Sequence, residues 1–241
     1  LGRINNPPPE SQKETLSNDH NNPLSAKSVR LGILLSGRGS NFLAIAESIR
    51  TGKLAGVEIA VVISNLGDAG GIAEAAKLGL PTQVFVSKGR KRAEHDADVT
   101  ACLHEHNVDL VILAGYMRLL SPEFIAAFPN RILNIHPSLL PSFTGLDAQT
   151  QAFEYGVKVA GCTVHFVDEH LDHGTIILQR TVPVLDSDDA HTLAERILVE
   201  EHIAYSEAIA RVVSGEYAIE GRRLVRRDSY GSCGGIALFR A

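Results

Sequence analysis

From Val29 to Ile135 the chain alternates short, unbroken apolar runs with stretches of helical period, and that alternation leaves few folds open. "RLGILL" (30–35), "EIAVVI" (58–63), "TQVFV" (82–86), "DLVILA" (109–114) and "RILNI" (131–135) each suit a strand. A run with no polar face belongs to a strand covered on both sides. After the first run, Phe42, Ile45, Ala46 and Ile49 fall at i, i+3, i+4 and i+7, one face of a helix. Further helices are expected over about 69–78, ended by Gly79 as a C′ glycine, and from about Lys91 to His106, with Val99, Cys102, Leu103 and His106 on one face. Ser121 and Pro122 supply an N-cap and an N1 proline for a short helix to Phe128. Strands and helices in this order predict an α/β fold, a mostly parallel, Rossmann-like open sheet with helices on both faces.

The rhythm changes after Pro141. Asp147 is expected to cap a short helix that ends near Gly156. "KVAGCTVHFV" and "TIILQRTVPV" follow as two strands close enough to pair antiparallel, and an amphipathic helix runs from about Ala190 to Ser214 with Leu193, Ile197 and Ile203 among its apolar positions. The sheet is therefore expected to carry an antiparallel C-terminal extension, and the last residues to hold at most an edge strand. No internal repeat or second core is visible. The expected organisation is one domain over residues 29–220, a disordered polar tail over 1–28, and a C-terminal tail over 221–241.

Composition removes several classes of function. No apolar run approaches the roughly 20 residues that span a bilayer, and the first residues lack the order of a secretory signal, so no membrane is expected. A net charge of −5 offers no broad basic surface for nucleic acid. Cys102, Cys162 and Cys233 are far apart and fit neither a disulfide framework nor a Cys-x-x-Cys metal site, which makes a reducing cytoplasm the default.

Three stretches carry chemistry. "SGRGSN" (36–41) joins a strand to a helix start, where glycines admit a ligand and free N–H groups attract an anion. A phosphate site and a plain tight turn are equally good readings. A P-loop lysine is absent, Phe42 stands where a dinucleotide fingerprint wants a small residue, and no acid ends the second strand, so a small phosphorylated metabolite fits better than ATP or NAD. In "ILNIHPSLLP" (132–141), Asn134 and His136 share one face of a strand that Pro137 stops. An amide donor beside an imidazole suits a carbonyl that develops an oxyanion, although a lone Asn-x-His is more often structural. "HFVDEHLDHG" (165–174) is dense in carboxylates and holds either a general base or a solvated turn. Its His170-x-x-His173 pair lacks a third ligand at sensible spacing, so no metal is expected.

Taken in order, strand–"SGRGSN"–helix, "LAGYMRLLSP", "LNIHPSLLPSF.G" and "HFVDEHLDHG..ILQ" resemble the glycinamide ribonucleotide formyltransferases, a folate-dependent family, from about Arg30 to Gly215. The resemblance implies the formyltransferase fold for the domain. It also implies transfer of a formyl group from the co-substrate 10-formyltetrahydrofolate to the amine of glycinamide ribonucleotide, in purine synthesis, by a monomer or homodimer. By the same resemblance Asn134, His136 and Asp172 match the catalytic trio. Gly39, Ser40 and Asn41 match the phosphate site, and Glu201 a carboxylate on the ribose hydroxyls. Met117, Arg118 and Leu120 match a strip beside the pterin, Ile132, Val167 and Asp168 the lining of its pocket, and Arg92 a basic residue near the benzoyl-glutamate end. Arg38 stands at a variable position, and "LDAQTQ" after Gly145 departs from the histidine-containing runs of many relatives.

Three rivals remain. Formyltetrahydrofolate hydrolase shares the trio but is expected to need a regulatory domain ahead of it. Methionyl-tRNA formyltransferase is expected to need an RNA-binding domain behind it. A non-catalytic metabolite-binding protein would have little reason to hold all three polar residues.

Overall fold

The computed structural model describes residues 28–227 and the short strand at 236–237. The tail expected over 1–28 lies, Ser28 apart, outside the described residues, as does Cys233. The strands are β1 (Val29–Leu35), β2 (Val57–Ser64), β3 (Thr82–Val84), β4 (Leu110–Leu113), β5 (Ile132–His136), β6 (Val159–Phe166), β7 (Ile176–Pro183), β8 (Tyr217–Glu220), β9 (Arg223–Arg226) and β10 (Ile236–Ala237). The helices are α1 (Ser40–Arg50), α2 (Gly70–Lys77), α3 (Arg92–Glu105), α4 (Pro122–Ala127), α5 (Ala148–Tyr155) and α6 (Ala190–Val213).

Among the described residues all ten strands join one sheet in the order β10-β8-β9-β7-β6-β5-β4-β1-β2-β3. From β3 to β5 the pairing is parallel, and β6 runs antiparallel to both β5 and β7. Alternate side chains of each central strand enter opposite layers, which explains the unbroken apolar runs. Leu31, Ile33 and Leu35 join Leu110, Ile112, Leu133 and Ile135 in a core shared with Phe42 and Ile45 of α1 and Ile197 and Ile209 of α6. Leu34, Val61, Ile63, Val111 and Ile132 face the other way, against Val99 and Leu103 of α3 and Phe124 of α4.

The helix signals act as expected, with one exception. Ser121 Oγ accepts from the Phe124 N–H at 3.3 Å, and Gly79 follows α2 with φ 70°. Asp147 does precede α5, but its φ of 55° turns the side chain away from any cap bond. The first turn is held instead by Gln151, whose Nε2 donates to the carbonyls of Thr144 and Leu146. Two boundaries also move. β3 stops at Val84, since Val86 is exposed at the sheet edge. The sheet continues past residue 220 as the β8–β9 hairpin, which meets β7 through Ile176 and Arg223. Among the described residues no helix is long and apolar enough to cross a membrane.

Tyr205 of α6 is fully buried, and its O–H is shared between the carbonyls of Leu113 (2.9 Å) and Leu133 (3.0 Å). One side chain thus ties the neighbouring strands β4 and β5 to the covering helix. Tyr205→Phe keeps the ring and deletes the donor, so the expected loss is about 1–2 kcal/mol of unfolding free energy. Urea denaturation checks this, and an unchanged midpoint contradicts it.

Candidate active site

β1 touches β2 on one side and β4 on the other, so the chain changes direction around β1. Ligands of open α/β sheets bind in the crevice outside such a switch point, at the carboxyl ends of the strands. Four loops are tied together there. The Ser36 N–H donates to the Gly115 carbonyl at 3.0 Å, and Ser36 Oγ donates to Asn65 Oδ1 at 2.6 Å while accepting from the Met117 N–H at 2.8 Å. The Asn65 amide in turn donates to Ser87 Oγ at 3.3 Å. Gly39 takes φ 77° at the N-cap of α1, where a Cβ would stand 3.0 Å from the Gly71 Cα. A Cβ on Gly71 would lie 2.6 Å from Leu35 Cδ2. Without either Cβ, the start of α2 presses on the 36–39 loop, and the Gly71 N–H donates to the Gly37 carbonyl at 3.0 Å. No side chain caps α1. Its first N–H groups, at Ser40 and Asn41 among others, are therefore open to an anion at the positive end of the helix dipole.

Two residues expected to hold one substrate meet directly. Asn41 Nδ2 donates to Glu201 Oε2 at 2.8 Å across 160 residues of chain, and both side chains are buried. Asn41 Oδ1 is buried with no partner among the described residues. Burial pushes the Glu201 carboxyl above its ordinary range, and the bond from Asn41 only partly offsets this.

The expected catalytic trio also converges. β5 ends at His136, as Pro137 requires, with Asn134 and His136 on one face. The next turn is fixed by buried bonds: Thr163 Oγ1 donates to the Ser138 carbonyl (2.7 Å) and accepts from the Leu140 N–H (3.0 Å). Asp172 reaches this face from the loop between β6 and β7. That loop leaves beside Ile132, whose carbonyl accepts from the Val167 N–H, and runs back along β5 to His136. Asp172 Oδ2 lies 3.5 Å from His136 Nδ1, and it accepts from the Gly145 N–H at 2.8 Å. The carboxylate is 7% exposed and the His136 side chain 6%. His136 Nε2 donates to the Phe143 carbonyl at 2.8 Å, so both ring nitrogens face acceptors.

His165 completes the cluster, and the sequence reading passed over it. It pairs with Asn134 across the antiparallel β5–β6 ladder. Its Nδ1–H donates to the Phe166 carbonyl at 2.7 Å, which leaves Nε2 as an acceptor for Asn134 Nδ2 at 3.2 Å. Burial holds its pKa below the usual histidine value, in keeping with a neutral ring. The Asn134 amide is thereby oriented, with one N–H on His165 and the other without a partner among the described residues. The signal was "TVHF", a histidine in a strand otherwise too apolar to carry one.

The remaining expected residues spread around this centre. Met117 is 69% exposed, Arg118 and Leu120 are half-buried, and Arg118 Nε is buried without a partner among the described residues. Arg92 opens α3 and is exposed. Ile132 is core, and Val167 packs beside it. Asp168 accepts from His173 Nδ1 and the His170 N–H, both at 2.9 Å. Burial opposes its charge, but these bonds outweigh burial and hold its pKa below the usual range. Arg38 is exposed. An apolar hollow between α1 and α2, lined by Leu43, Ile49, Ile59 and Leu80, opens near the other ends of β1 and β2, away from these residues.

The raised pKa of Glu201 has a measurable sign. The folded chain keeps this proton to a higher pH than the unfolded chain does. Its contribution to stability is therefore full below the unfolded value and is lost as pH rises through the folded one. Glu201→Gln keeps an acceptor for Asn41. It is expected to be more stable than the parent at about pH 7 and to lose that advantage by about pH 4. Denaturant midpoints across this range check it, and a variant weaker than the parent at neutral pH contradicts it.

Known proteins resemble this chain in sequence and fold. A family model described as formyl transferase matches residues 29–209. The trifunctional purine biosynthetic protein adenosine-3 of Homo sapiens is 45% identical over 190 residues, which are 78% of this chain and 19% of that protein. The chain thus spans about one fifth of that relative's length. Phosphoribosylglycinamide formyltransferase of Escherichia coli (strain K12) is 38% identical over 184 residues, covering 76% of this chain and 86% of that one. Among solved structures, glycinamide ribonucleotide transformylase 1 from Symbiobacterium toebii aligns with a TM-score of 0.82 at 48% identity, over 88% of this chain and all of the other. The chain belongs to the formyl transferase family.

Proposed function

We propose that the chain transfers the formyl group of 10-formyltetrahydrofolate to the amine of glycinamide ribonucleotide, giving N-formylglycinamide ribonucleotide and tetrahydrofolate. The observation that carries this reading is the meeting of Asn134, His136 and Asp172 on one sheet face, beside an uncapped helix start suited to phosphate.

The substrate's phosphate lies on the N–H groups that open α1, near Gly39, Ser40 and Asn41, and Glu201 accepts from the ribose hydroxyls. That places the glycinamide amine toward β5. The folate lies against Met117, Arg118, Leu120, Val167 and Asp168, over the base formed by Ile132, with Arg92 toward its benzoyl-glutamate end. The amine attacks the formyl carbon, and the carbonyl oxygen becomes an oxyanion. The free N–H of Asn134 and Nε2–H of His136 donate to it. His136 Nε2 now serves the Phe143 carbonyl. Exchange of that neutral acceptor for one that gains charge makes the imidazole's contribution grow toward the transition state. Asp172 orients the ring through Nδ1 and, through water, helps move the amine's proton to N10 of the folate as the C–N bond breaks. The formyl group passes directly, with no enzyme-bound acyl group. Alignment of the two substrates supplies a large share of the rate.

The test mixes the protein with glycinamide ribonucleotide and a 10-formyl folate and follows release of deformylated folate. Release that requires the ribonucleotide is expected. Release at the same rate without it identifies a formyltetrahydrofolate hydrolase instead, and binding without turnover identifies a metabolite-binding protein. Asp172→Asn is expected to keep the fold and lower kcat by about two to four orders of magnitude. Near-parental turnover in that variant removes Asp172 from the reaction.

A further inference from the structure

The β6–β7 loop gathers three donors that the transfer chemistry does not use together. One ligand atom each from Asp168, His170 and His173 lies within 4.8 Å of the others. Asp168 is the third donor that linear spacing did not reveal. Its Oδ2 stands 2.9 Å from His173 Nδ1, while the His170 backbone N–H holds its other oxygen. The two imidazole centroids are 5.1 Å apart. Both ends of the loop are tied down, with the Phe166 N–H donating to the Thr175 carbonyl and the Val167 N–H to the Ile132 carbonyl, each at 2.9 Å. A cation bound here closes small chelate rings within six residues and needs little chain ordering.

The chemistry of the donors narrows the ion. Two imidazoles and one carboxylate suit zinc and its neighbours, whereas calcium and magnesium want oxygen-rich shells. Three protein ligands at about 2.0–2.2 Å leave a fourth tetrahedral position for water.

A second observation shows that this corner accepts positive charge. Arg222, at the turn between β8 and β9, places Nη1 2.6 Å from His173 Nε2 and 3.1 Å from Nδ1, and its Nη2 donates to the His173 carbonyl at 2.6 Å. The guanidinium thus rests against the same imidazole that a metal would take. Arg222 also lies outside the stretch matched by the family model, which ends at residue 209.

We infer that Asp168, His170 and His173 form a site for a zinc-class divalent cation, that Arg222 competes with the ion for His173, and that a filled site slows formyl transfer. The slowing rests on the function proposed above. Asp172 immediately precedes His173, and Asp168 lines the folate side, so a chelate across the loop draws on both. Binding itself does not depend on that function.

Zinc alone, titrated into the metal-free 241-residue chain against a chromophoric chelator, tests the site. One equivalent is expected to bind at micromolar or lower concentration. His170→Ala and His173→Ala are expected to weaken binding at least tenfold. Arg222→Gln, which removes the competing cation, is expected to tighten it severalfold. Circular dichroism of each variant confirms the fold. Failure of both the parent and Arg222→Gln to bind zinc overturns the site, as does binding unchanged by His170→Ala. In the transfer assay zinc is expected to slow the parent but not His170→Ala, whose zinc-free rate matches the parent. Zinc that binds through these residues and leaves transfer unchanged overturns the inhibitory role. Because binding is read without turnover, the titration tests the site even in a chain that lacks transferase activity.

Discussion

One buried carboxylate sets the geometry on which the rest relies. Asp172 adopts φ 50°, a left-handed conformation that costs an L-residue about 1–2 kcal/mol and that aspartate tolerates better than most. Its loop accepts that strain because the chain on either side is bonded to the sheet and the Gly145 N–H receives one carboxylate oxygen. The outcome is a carboxylate held away from water, with the imidazoles of His136 and His165 3.5 and 3.9 Å from its oxygens. In so dry a setting a charge acts on a neighbour far more strongly than at the surface. His136 is thereby held by a carboxylate on one nitrogen and a carbonyl on the other, and His165, kept neutral by burial, holds the Asn134 amide.

Helix α6 connects this centre to the start of α1. Glu201 and Tyr205 sit one turn apart on the same face. Tyr205 grips the carbonyls of Leu113 and Leu133, while Glu201 takes the amide of Asn41 at the start of α1. The strand that carries Asn134 and His136 is thus indexed against the helix start suited to phosphate. The proposed transfer between two substrates needs such indexing, since an ångström of error between reacting atoms is costly in rate. Burial disfavours the charged form of the Glu201 carboxyl, and the bond from Asn41 offsets only part of that cost.

Much of this was legible in the chain. The parallel strands announced themselves because covered strands need no polar face, and the Asn134–His136 pair did so because strand residues two apart share a side. Pro137 marked the strand's end, and Ser121 and Gly79 marked helix ends through local chemistry that tertiary contacts did not override. The resemblance to a known family added Asp172, Glu201 and the folate-side residues. What stayed hidden depends on register and long-range approach. His165 faces Asn134 only through the register of the antiparallel β5–β6 ladder. The Ser36–Asn65–Ser87 chain joins loops that are remote in sequence. Asp168 becomes a partner of His170 and His173 only once the loop closes, and Asp147 fails as a cap because its own backbone turns left-handed.

The coupling of Asp172 to His136 is measured most directly by a double-mutant cycle on kcat/KM, using Asp172→Asn, His136→Ala and the two combined. If the carboxylate acts largely through the imidazole, the combined variant is about as slow as His136→Ala alone. Losses that multiply would show that the two side chains act independently, and would contradict the account.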